Sequence, residues 1–225
     1  MEGGLYRDDD PRRDALGDGD VNEATERLRH WESIYRERDV ATLSWYEDDP
    51  ATSLSLIELA APDRASAIID VGAGASLLVD RLVARGYRDV SVLDLSATAL
   101  AESRQRAGEL SAVTWVEADV LSWEPSRRYD LWHDRAVFHF LQDRQIDAYR
   151  ATLERALRPG GRVVVGTFAL DGPQSCSGLP TQRYDADGVA AVLGDSFRIL
   201  ERRRSAHITP AGVVQPFSWI VASRS

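Results

Sequence analysis

The sequence of 225 residues predicts an α/β protein built on a doubly wound, mostly parallel sheet of seven strands. Short apolar runs alternate with helical patterns from residue 67 onward, and several of these runs end in an acidic residue. The last two runs are separated by the turn residues Thr209 to Gly212. Alternation of strands and helices favours right-handed crossovers and a parallel sheet, and a closing hairpin adds an antiparallel last strand.

The first predicted strand, Ala67 to Ile69, leads into a corner that contains Asp70, Gly72 and Gly74. An apolar run without polar alternation indicates a parallel strand that is covered on both faces. Glycine lets the backbone turn sharply and approach a ligand closely, because no Cβ intrudes. The corner is therefore either a structural tight turn or the start of a ligand site.

The remaining elements follow in a regular order. Strands are expected at Val90 to Asp94, Val113 to Asp119, Tyr129 to His133, Arg162 to Phe168, Phe197 to Ile208 and Val213 to Ala222. Helices are expected from the glycine corner to Gly86, after Ser96, from Ile146 up to Pro159-Gly160-Gly161, and at Ala186 to Leu193.

The segment ahead of the first strand is predicted to divide at residues 20 and 62. Residues 1–20 are rich in Asp and Gly and are expected to be a disordered acidic tail. Residues 21–62 are expected to form a helical cap, with Asn22 capping its first helix and Pro62 stopping its second. Residues 63–225 would then form the main domain.

Composition excludes several classes of protein. A net charge of −9 argues against a general nucleic-acid binder, because neutralising phosphates needs a basic surface. The single Cys176 excludes an internal disulfide, and no metal-ligand spacing is visible. No apolar run is long enough for a membrane span, and the first residues lack a signal-peptide pattern. We therefore expect a cytoplasmic monomer or homodimer.

Acidic residues stand at the ends of the predicted strands, where ligands bind in doubly wound sheets. Asp94 lies about 20 residues beyond Gly72, where an acidic side chain accepts hydrogen bonds from ribose hydroxyls. Asp119 follows one strand later and is placed to receive an adenine amino group beside an apolar wall of Val120 or Leu95. The alternative for each carboxylate is a helix cap or a solvated strand end. Together they predict a nucleoside pocket.

Five stretches resemble, in their order, the motifs of class I S-adenosylmethionine-dependent methyltransferases: Asp70-Val71-Gly72-Ala73-Gly74, Asp94, Ala118-Asp119-Val120, Tyr129-Asp130-Leu131 and Leu157-Arg158-Pro159-Gly160-Gly161. The resemblance runs from about residue 65 to the C-terminus. It implies the Rossmann-like methyltransferase fold, S-adenosylmethionine as cofactor and S-adenosylhomocysteine as product. By the same resemblance Gly72 and Gly74 lie against the methionine part, Asp70 orients its amino group, Asp94 holds the ribose, and Asp119 with Val120 holds the adenine. The family usually has a third glycine where this chain has Ser76.

The aromatic N-terminal residues resemble the segment that covers the cofactor in small bacterial methyltransferases and in some protein-lysine methyltransferases. A sulfonium is a cation, and an aromatic face beside it contributes about 0.5 to 2 kcal/mol. Trp45 and Tyr46 lie in a predicted loop and are the candidates for this cover. Trp31 and Tyr35 recur at helical spacing, which favours core positions.

The chemistry is predicted after the fourth strand, where the resemblance implies substrate-facing residues. His133 or His139 is a candidate base near neutral pH, with a structural hydrogen-bonding role as the alternative. Asp134 and Arg135 are candidates for a catalytic and a substrate-binding role, or simply pair with each other. In the loop after the fifth strand, Arg183 and Tyr184 are candidate substrate-binding residues, or ordinary surface residues.

The expected function is methyl transfer from S-adenosylmethionine to a small molecule. A protein-lysine methyltransferase is the first alternative, because acidic chains attract basic targets. An NAD-type oxidoreductase is less favoured, since close approach to a pyrophosphate favours a glycine in place of Ser76 and such an enzyme would not predict the terminal hairpin. A cofactor-binding protein without catalytic activity is the third alternative.

Overall fold

The computed structural model describes residues 18–108 and 112–225, with only the backbone described for residues 18–21. Residues 1–17 of the predicted acidic tail lie outside the described residues. Helix α1 spans Asp18–Glu37, so the helix begins before the predicted cap Asn22. Instead of capping the helix, the Asn22 side chain donates to the Glu26 carboxylate one turn later, at 3.2 Å.

The sheet has seven strands in the order β3-β2-β1-β4-β5-β9-β8, which confirms the predicted fold class. All neighbouring pairs from β3 to β5 are parallel, whereas β9 is antiparallel to both β5 and β8. The strands of this sheet are β1 (Ile68–Val71), β2 (Val90–Asp94), β3 (Val113–Glu117), β4 (Tyr129–Arg135), β5 (Leu157–Phe168), β8 (Phe197–Ile208) and β9 (Val214–Arg224). A separate short hairpin is formed by β6 (Ser175–Cys176) and β7 (Leu179–Pro180).

Helices cover both faces of the sheet. After α1 come α2 (Ala51–Ala60), α3 (Leu78–Ala84), α4 (Ala97–Ala107), α5 (Asp143–Ala156) and α6 (Ala186–Leu193), with 3₁₀ turns at Val40–Thr42 and Phe138–Phe140. Val163 and Val165 of β5 belong to the core on one face, and Val164 belongs to the core on the other, as the two-residue period of a strand requires. No helix of the described part of the chain is long and apolar enough to cross a membrane.

The predicted boundary between α5 and β5 is wrong. The helix expected to reach Pro159-Gly160-Gly161 ends at Ala156, and β5 begins at Leu157. Steric clash with the proline ring disfavours helical backbone at Arg158, so the chain extends before the proline. The two following glycines therefore belong to the strand rather than to a helix end.

The N-terminal helix lies across the carboxyl end of the sheet. Ile34 and Tyr35 of α1 pack with Leu43, Ala75 and Ala99 in a small core of their own. This core fixes α1 beside the glycine corner. The division into a cap of residues 21–62 and a domain of residues 63–225 stays a prediction.

Candidate functional site

Two connected cavities lie at the carboxyl ends of β1, β2 and β4. The smaller one, of about 520 Å³, we call the inner chamber, and it is lined by residues of β1, β4, α2 and the loop before α2. The larger one, of about 970 Å³, we call the cleft, and it extends from β2 and β3 to β9. Both are lined by Trp45, Gly72 and Arg135, so the two cavities meet at the glycine corner.

The two glycines of the corner cannot carry side chains. Gly72 and Gly74 have φ values of 61° and 55°, a region that L-residues rarely adopt. A Cβ on Gly72 would lie 1.9 Å from Cγ2 of Val137, and a Cβ on Gly74 would lie 2.1 Å from the hydroxyl of Tyr35. The corner is therefore closely packed by Val137 of the turn after β4 and by Tyr35 of α1, and this packing requires glycine at both positions.

Asp94 lies where β2 ends and lines the cleft beside Leu95. Its Oδ2 accepts from the Gly74 N–H at 2.7 Å and its Oδ1 from the Ser96 N–H at 2.8 Å. Burial raises the pKa of Asp94 to about 6, although these two hydrogen bonds act in the opposite direction. A carboxylate has about four acceptor sites, so Asp94 can still accept a hydrogen bond from a ligand hydroxyl.

Asp119 and Val120 also line the cleft, and sequence reasoning missed the partner of Asp119. Arg27 of α1 donates to Oδ2 of Asp119 at 2.7 Å, while Oδ1 accepts from the Leu121 N–H at 2.9 Å. Arg27, Trp31 and Tyr35 all line the cleft and are spaced four residues apart, which places them on one face of α1. Tyr35 belongs to the small core of α1, as predicted, and Trp31 packs against it, but both residues also form a wall of the site. Helical periodicity alone does not show this second role.

The inner chamber contains a buried hydrogen-bonded chain from β1 to α2. Nδ1 of His133 lies 2.7 Å from Oδ1 of Asp70, and Nε2 lies 3.0 Å from the hydroxyl of Ser53. All three residues line this chamber, and His133 is 1% exposed. Tyr46 lines it as well, and its role beside the cofactor stays a prediction. Ser53 had no motif that pointed to it.

A cluster of three charged or titratable residues, Arg135, Glu47 and His207, lies between the two cavities and strand β8. Arg135 donates to the Trp45 carbonyl at 3.0 Å and places Nη2 3.1 Å from Oε1 of Glu47. The same Glu47 oxygen lies 3.3 Å from Nδ1 of His207, whose Nε2 donates to the Ser44 carbonyl at 2.7 Å. Burial raises the pKa of Glu47, but the His207 hydrogen bond and the Arg135 charge outweigh it and leave that pKa below its usual value. Arg135 pairs with Glu47 and not, as one alternative predicted, with Asp134.

His139 forms part of the cleft wall, and the position of its proton follows from its contacts. Nδ1 accepts from the Phe168 N–H at 3.3 Å, so the neutral ring carries its proton on Nε2. Burial, together with the charge of Arg135, lowers the pKa of His139 to about 3. A neutral imidazole with its proton on the free nitrogen donates a hydrogen bond and does not accept a proton there. The predicted role of His139 as a base is therefore corrected to that of a donor.

Asp134 lines neither cavity, so its predicted catalytic role is not retained. Its Oδ1 accepts from the Val137 N–H at 2.9 Å, and its Oδ2 accepts from the Tyr149 hydroxyl at 2.7 Å. Burial raises the pKa of Asp134 to about 6. The carboxylate holds the turn after β4 in place, and the cleft-lining Val137 with it.

The two predicted substrate-binding residues of the loop after β5 also lie outside both cavities. Arg183 donates to the Leu170 carbonyl at 2.9 Å. The Tyr184 ring packs against Phe138, with centroids 5.2 Å apart. Of this loop, Cys176 lines the cleft instead, near Gln215 and Phe217 of β9. The sequence analysis did not predict Gln215 and Phe217 as site residues, because it used the last strand only to identify the fold.

Comparison with known proteins gives the class of protein. Residues 68–161 match the model of a family described as "Methyltransferase domain". The match begins at β1, spans the glycine corner and ends within β5. The resemblance to the class I S-adenosylmethionine-dependent methyltransferases is thereby confirmed, and residues 68–161 are a methyltransferase domain.

Curated relatives are similar over part of their length. A trans-aconitate 2-methyltransferase of Rhizobium etli is 35% identical over 98 residues, which are 43% of this chain and 36% of the relative. Nodulation protein S of Sinorhizobium fredii is 30% identical over 106 residues, 46% of this chain and 47% of the relative. An uncharacterised methyltransferase of Mycobacterium tuberculosis is 30% identical over 115 residues, 51% of this chain and 56% of the relative. The chain spans about half the length of these relatives.

Solved structures share the fold over nearly their whole length. The N-methyltransferase NodS from Bradyrhizobium japonicum, in complex with S-adenosylhomocysteine, superposes with a TM-score of 0.67 at 19% identity, covering 87% of this chain and 98% of that one. A Burkholderia thailandensis 1,6-didemethyltoxoflavin N1-methyltransferase superposes with a TM-score of 0.65 at 17% identity, covering 100% and 93%. The latter structure contains bound 1,6-didemethyltoxoflavin and S-adenosylhomocysteine.

Proposed function

We propose that this chain transfers a methyl group from S-adenosylmethionine to a small-molecule acceptor. The observation that carries the proposal is that the smaller inner chamber and the larger cleft meet at Gly72. An elongated cofactor with an amino acid at one end and a nucleoside at the other requires both cavities. The wide cleft leaves room for a second molecule at its other end.

The residues present fit this cofactor. The inner chamber offers the Asp70 carboxylate to an amino group, and the far part of the cleft offers Asp94 to the ribose hydroxyls. Leu95 and Val120 provide apolar walls for the adenine, with the Asp119 carboxylate beside them. When bound, S-adenosylmethionine supplies a methyl group on a positively charged sulfur.

The chain's own contribution is alignment and exclusion of water. Transfer is an in-line displacement, for which correct positioning contributes about 7 to 11 kcal/mol. Trp45 lines both cavities and is held by its carbonyl to Arg135 and by its indole N–H to the Tyr35 hydroxyl, at 3.3 Å. These two hydrogen bonds connect the loop before α2 to β4 and to α1 across the site. His139, the histidine that lines the cleft, is not available as a base. The acceptor atom must therefore present its lone pair without first passing a proton to His139.

The size and lining of the cleft support a small acceptor. Its other end is enclosed by aromatic side chains of several elements: Trp31, Trp45, Phe140, Phe168 and Phe217. A relative named for trans-aconitate and a structural neighbour with bound 1,6-didemethyltoxoflavin are both named for small acceptors. No comparison favours the protein-lysine alternative, and it is not retained.

An oxidoreductase is not supported either. Ser76 occupies the third-glycine position, and its hydroxyl accepts from the Leu78 N–H at 3.1 Å at the start of α3. In the dinucleotide-binding pattern G-x-G-x-x-G, the third glycine allows close packing of the helix on the strand and would fall at residue 77, where this chain has Leu77. The cytoplasmic location stays a prediction.

Calorimetric titration with S-adenosylhomocysteine and, separately, with NAD tests the cofactor. We expect saturable binding of S-adenosylhomocysteine and none of NAD. Binding of NAD, or absence of S-adenosylhomocysteine binding, would overturn the proposal. Binding without methyl transfer to any fraction of a cell extract would favour the non-catalytic alternative.

A further inference from the structure

The part of the cleft away from Asp94 and Asp119 has a distinct chemical character, and we call it the acceptor end. Its aromatic rings come from α1, the loop before α2, the turn after β4, and strands β5 and β9. The polar groups among them are His139, Gln215 and Arg135. The assignment of this end to the acceptor substrate rests on the proposed function, because the substrate takes the space that the cofactor leaves in the cleft.

His139 is held rigidly in this wall. Its ring stacks on Phe168 with centroids 4.1 Å apart and planes inclined by 16°, and it meets the edge of Phe140 at 4.5 Å. Nδ1 accepts a hydrogen bond from the Phe168 N–H. The ring therefore has a fixed orientation and a fixed tautomer.

The remaining nitrogen of His139 lacks a partner. Nε2 is buried and forms no hydrogen bond with any residue of the described part of the chain. A buried donor without a partner is costly, and such groups in native proteins call for an explanation. A bound molecule with a hydrogen-bond acceptor supplies one.

A second polar group of the acceptor end also has a buried nitrogen without a hydrogen-bond partner. Nη2 of Arg135 lies 3.1 Å from Oε1 of Glu47 but forms no hydrogen bond with the residues that the structure describes. Nη1 of the same guanidinium donates to the Trp45 carbonyl. The two groups of this end with an unused nitrogen are thus both donors, one neutral and one cationic.

We propose that the acceptor substrate is a planar aromatic or heteroaromatic molecule whose carbonyl oxygen or ring nitrogen accepts a hydrogen bond from Nε2 of His139. The flat aromatic walls favour a flat ring, since aromatic pairs gain from stacked and edge contacts. The His139 donor and the Arg135 cation favour a hydrogen-bond acceptor over a substrate with a free ammonium group. In the reaction the acceptor atom forms a bond to the methyl carbon while the bond from that carbon to sulfur breaks, with its electron pair going to sulfur. A proton that the acceptor atom still carries then leaves to solvent.

Two variants of His139 separate its two nitrogens. His139→Asn keeps an acceptor for the Phe168 N–H and removes the donor at Nε2, whereas His139→Gln keeps a donor there and removes the acceptor at Nδ1. The full chain, saturated with S-adenosylhomocysteine, is titrated with three matched sets of probes. These are aromatic bicyclic ketones and azines, the same bicycles without heteroatoms, and saturated bicyclic ketones and amines.

We expect binding by members of the first set, weakened roughly tenfold in His139→Asn and retained in His139→Gln. Nitrogen-15 NMR of the chain's four histidines should show His139 with its proton on Nε2 from pH 8 to pH 5. Preference for saturated or amine probes, failure of every aromatic probe, equal affinity in His139→Asn, or a proton on Nδ1 would each overturn the proposal. Calorimetry with S-adenosylhomocysteine alone, unchanged in both variants, shows that such a failure concerns the acceptor and not the proposed function.

Discussion

The His133 imidazole is bonded to the Asp70 carboxylate, with Nδ1 2.7 Å from Oδ1. The two residues stand opposite each other on the neighbouring parallel strands β4 and β1. The other ring nitrogen contacts Ser53 of α2. His133 therefore links three elements around the inner chamber, and its contacts fit a residue that positions Asp70 better than a base for the acceptor.

Replacing His133 tests that positioning. In His133→Ala the buried Asp70 carboxylate loses its side-chain partner, which should lower the free energy of unfolding by about 1 to 3 kcal/mol and weaken S-adenosylhomocysteine binding. His133→Asn keeps a donor near Nδ1 and should retain more of both. Denaturant unfolding and calorimetry measure the two quantities. Equal losses in Ala and Asn variants would contradict this role.

Gly72 should tolerate no side chain. Gly72→Ala adds a Cβ 1.9 Å from Cγ2 of Val137 at a φ of 61°. The matched control is Gly86→Ala, which has a φ of 87° and open space around the added Cβ. Both variants should lose about 1 to 2 kcal/mol of unfolding free energy to the left-handed backbone, and Gly72→Ala should lose more.

The double variant Gly72→Ala, Val137→Ala isolates the clash. Removing Cγ2 of Val137 should recover part of the loss, because the added methyl then has space. If the double variant is no more stable than Gly72→Ala alone, the close approach of Val137 is not what excludes a side chain.

The ionisation of Asp94 should make cofactor binding depend on pH. Burial raises its pKa to about 6, and the ionised form is the better acceptor for two hydroxyls. The affinity for S-adenosylhomocysteine should be constant near pH 8 and should fall as the pH drops through about 6. Asp94→Asn should bind more weakly and lose this dependence. A wild-type affinity that is flat from pH 8 to pH 5 would count against Asp94 as the ribose ligand.

Glu47 should stabilise the folded chain only while it is ionised. Its pKa is held below the usual value of 4.5, so its contribution is fully present above that value and is lost as the pH falls below it. Glu47→Gln should cost about 1.5 to 3 kcal/mol of unfolding free energy at pH 7, because it weakens contacts to Arg135 and His207.

A surface glutamate provides the control for this experiment. Glu58 pairs with Arg64 at 3.0 Å, and its side chain is 40% exposed. Glu58→Gln should change the unfolding free energy by less than about 1 kcal/mol. Equal costs for the two glutamines, or a Glu47→Gln cost that does not decrease as the pH falls below 4.5, would refute the buried contact.

The parallel fold class and the strand-end carboxylates could be predicted because local patterns carry them. An apolar run that ends in Asp, as at Asp70 and Asp94, predicts both a strand and the edge of the sheet at which the Asp side chain lies. The contacts of α1 could not be predicted, since nothing local shows that Arg27 reaches Asp119 or that Tyr35 covers Gly74. These contacts depend on how the N-terminal helix lies across the sheet.

The partners of the two candidate bases could not be predicted for a similar reason. His133 and His139 occur in one short stretch, and sequence alone gives no partner for either. The partners come from β1 and α2 for His133 and from β5 for His139. Tertiary contacts therefore decide the tautomer, and with it whether the ring can act as a base or as a donor.

Methyl-labelled S-adenosylmethionine tests the central claim most directly. The purified chain is incubated with it and a cell extract from its own source, with Asp94→Ala as the control, and the label is sorted by molecular size. The account predicts label in a small organic product with the wild-type chain and a loss of that product with Asp94→Ala. Label confined to protein bands, or no label in any fraction, would contradict it.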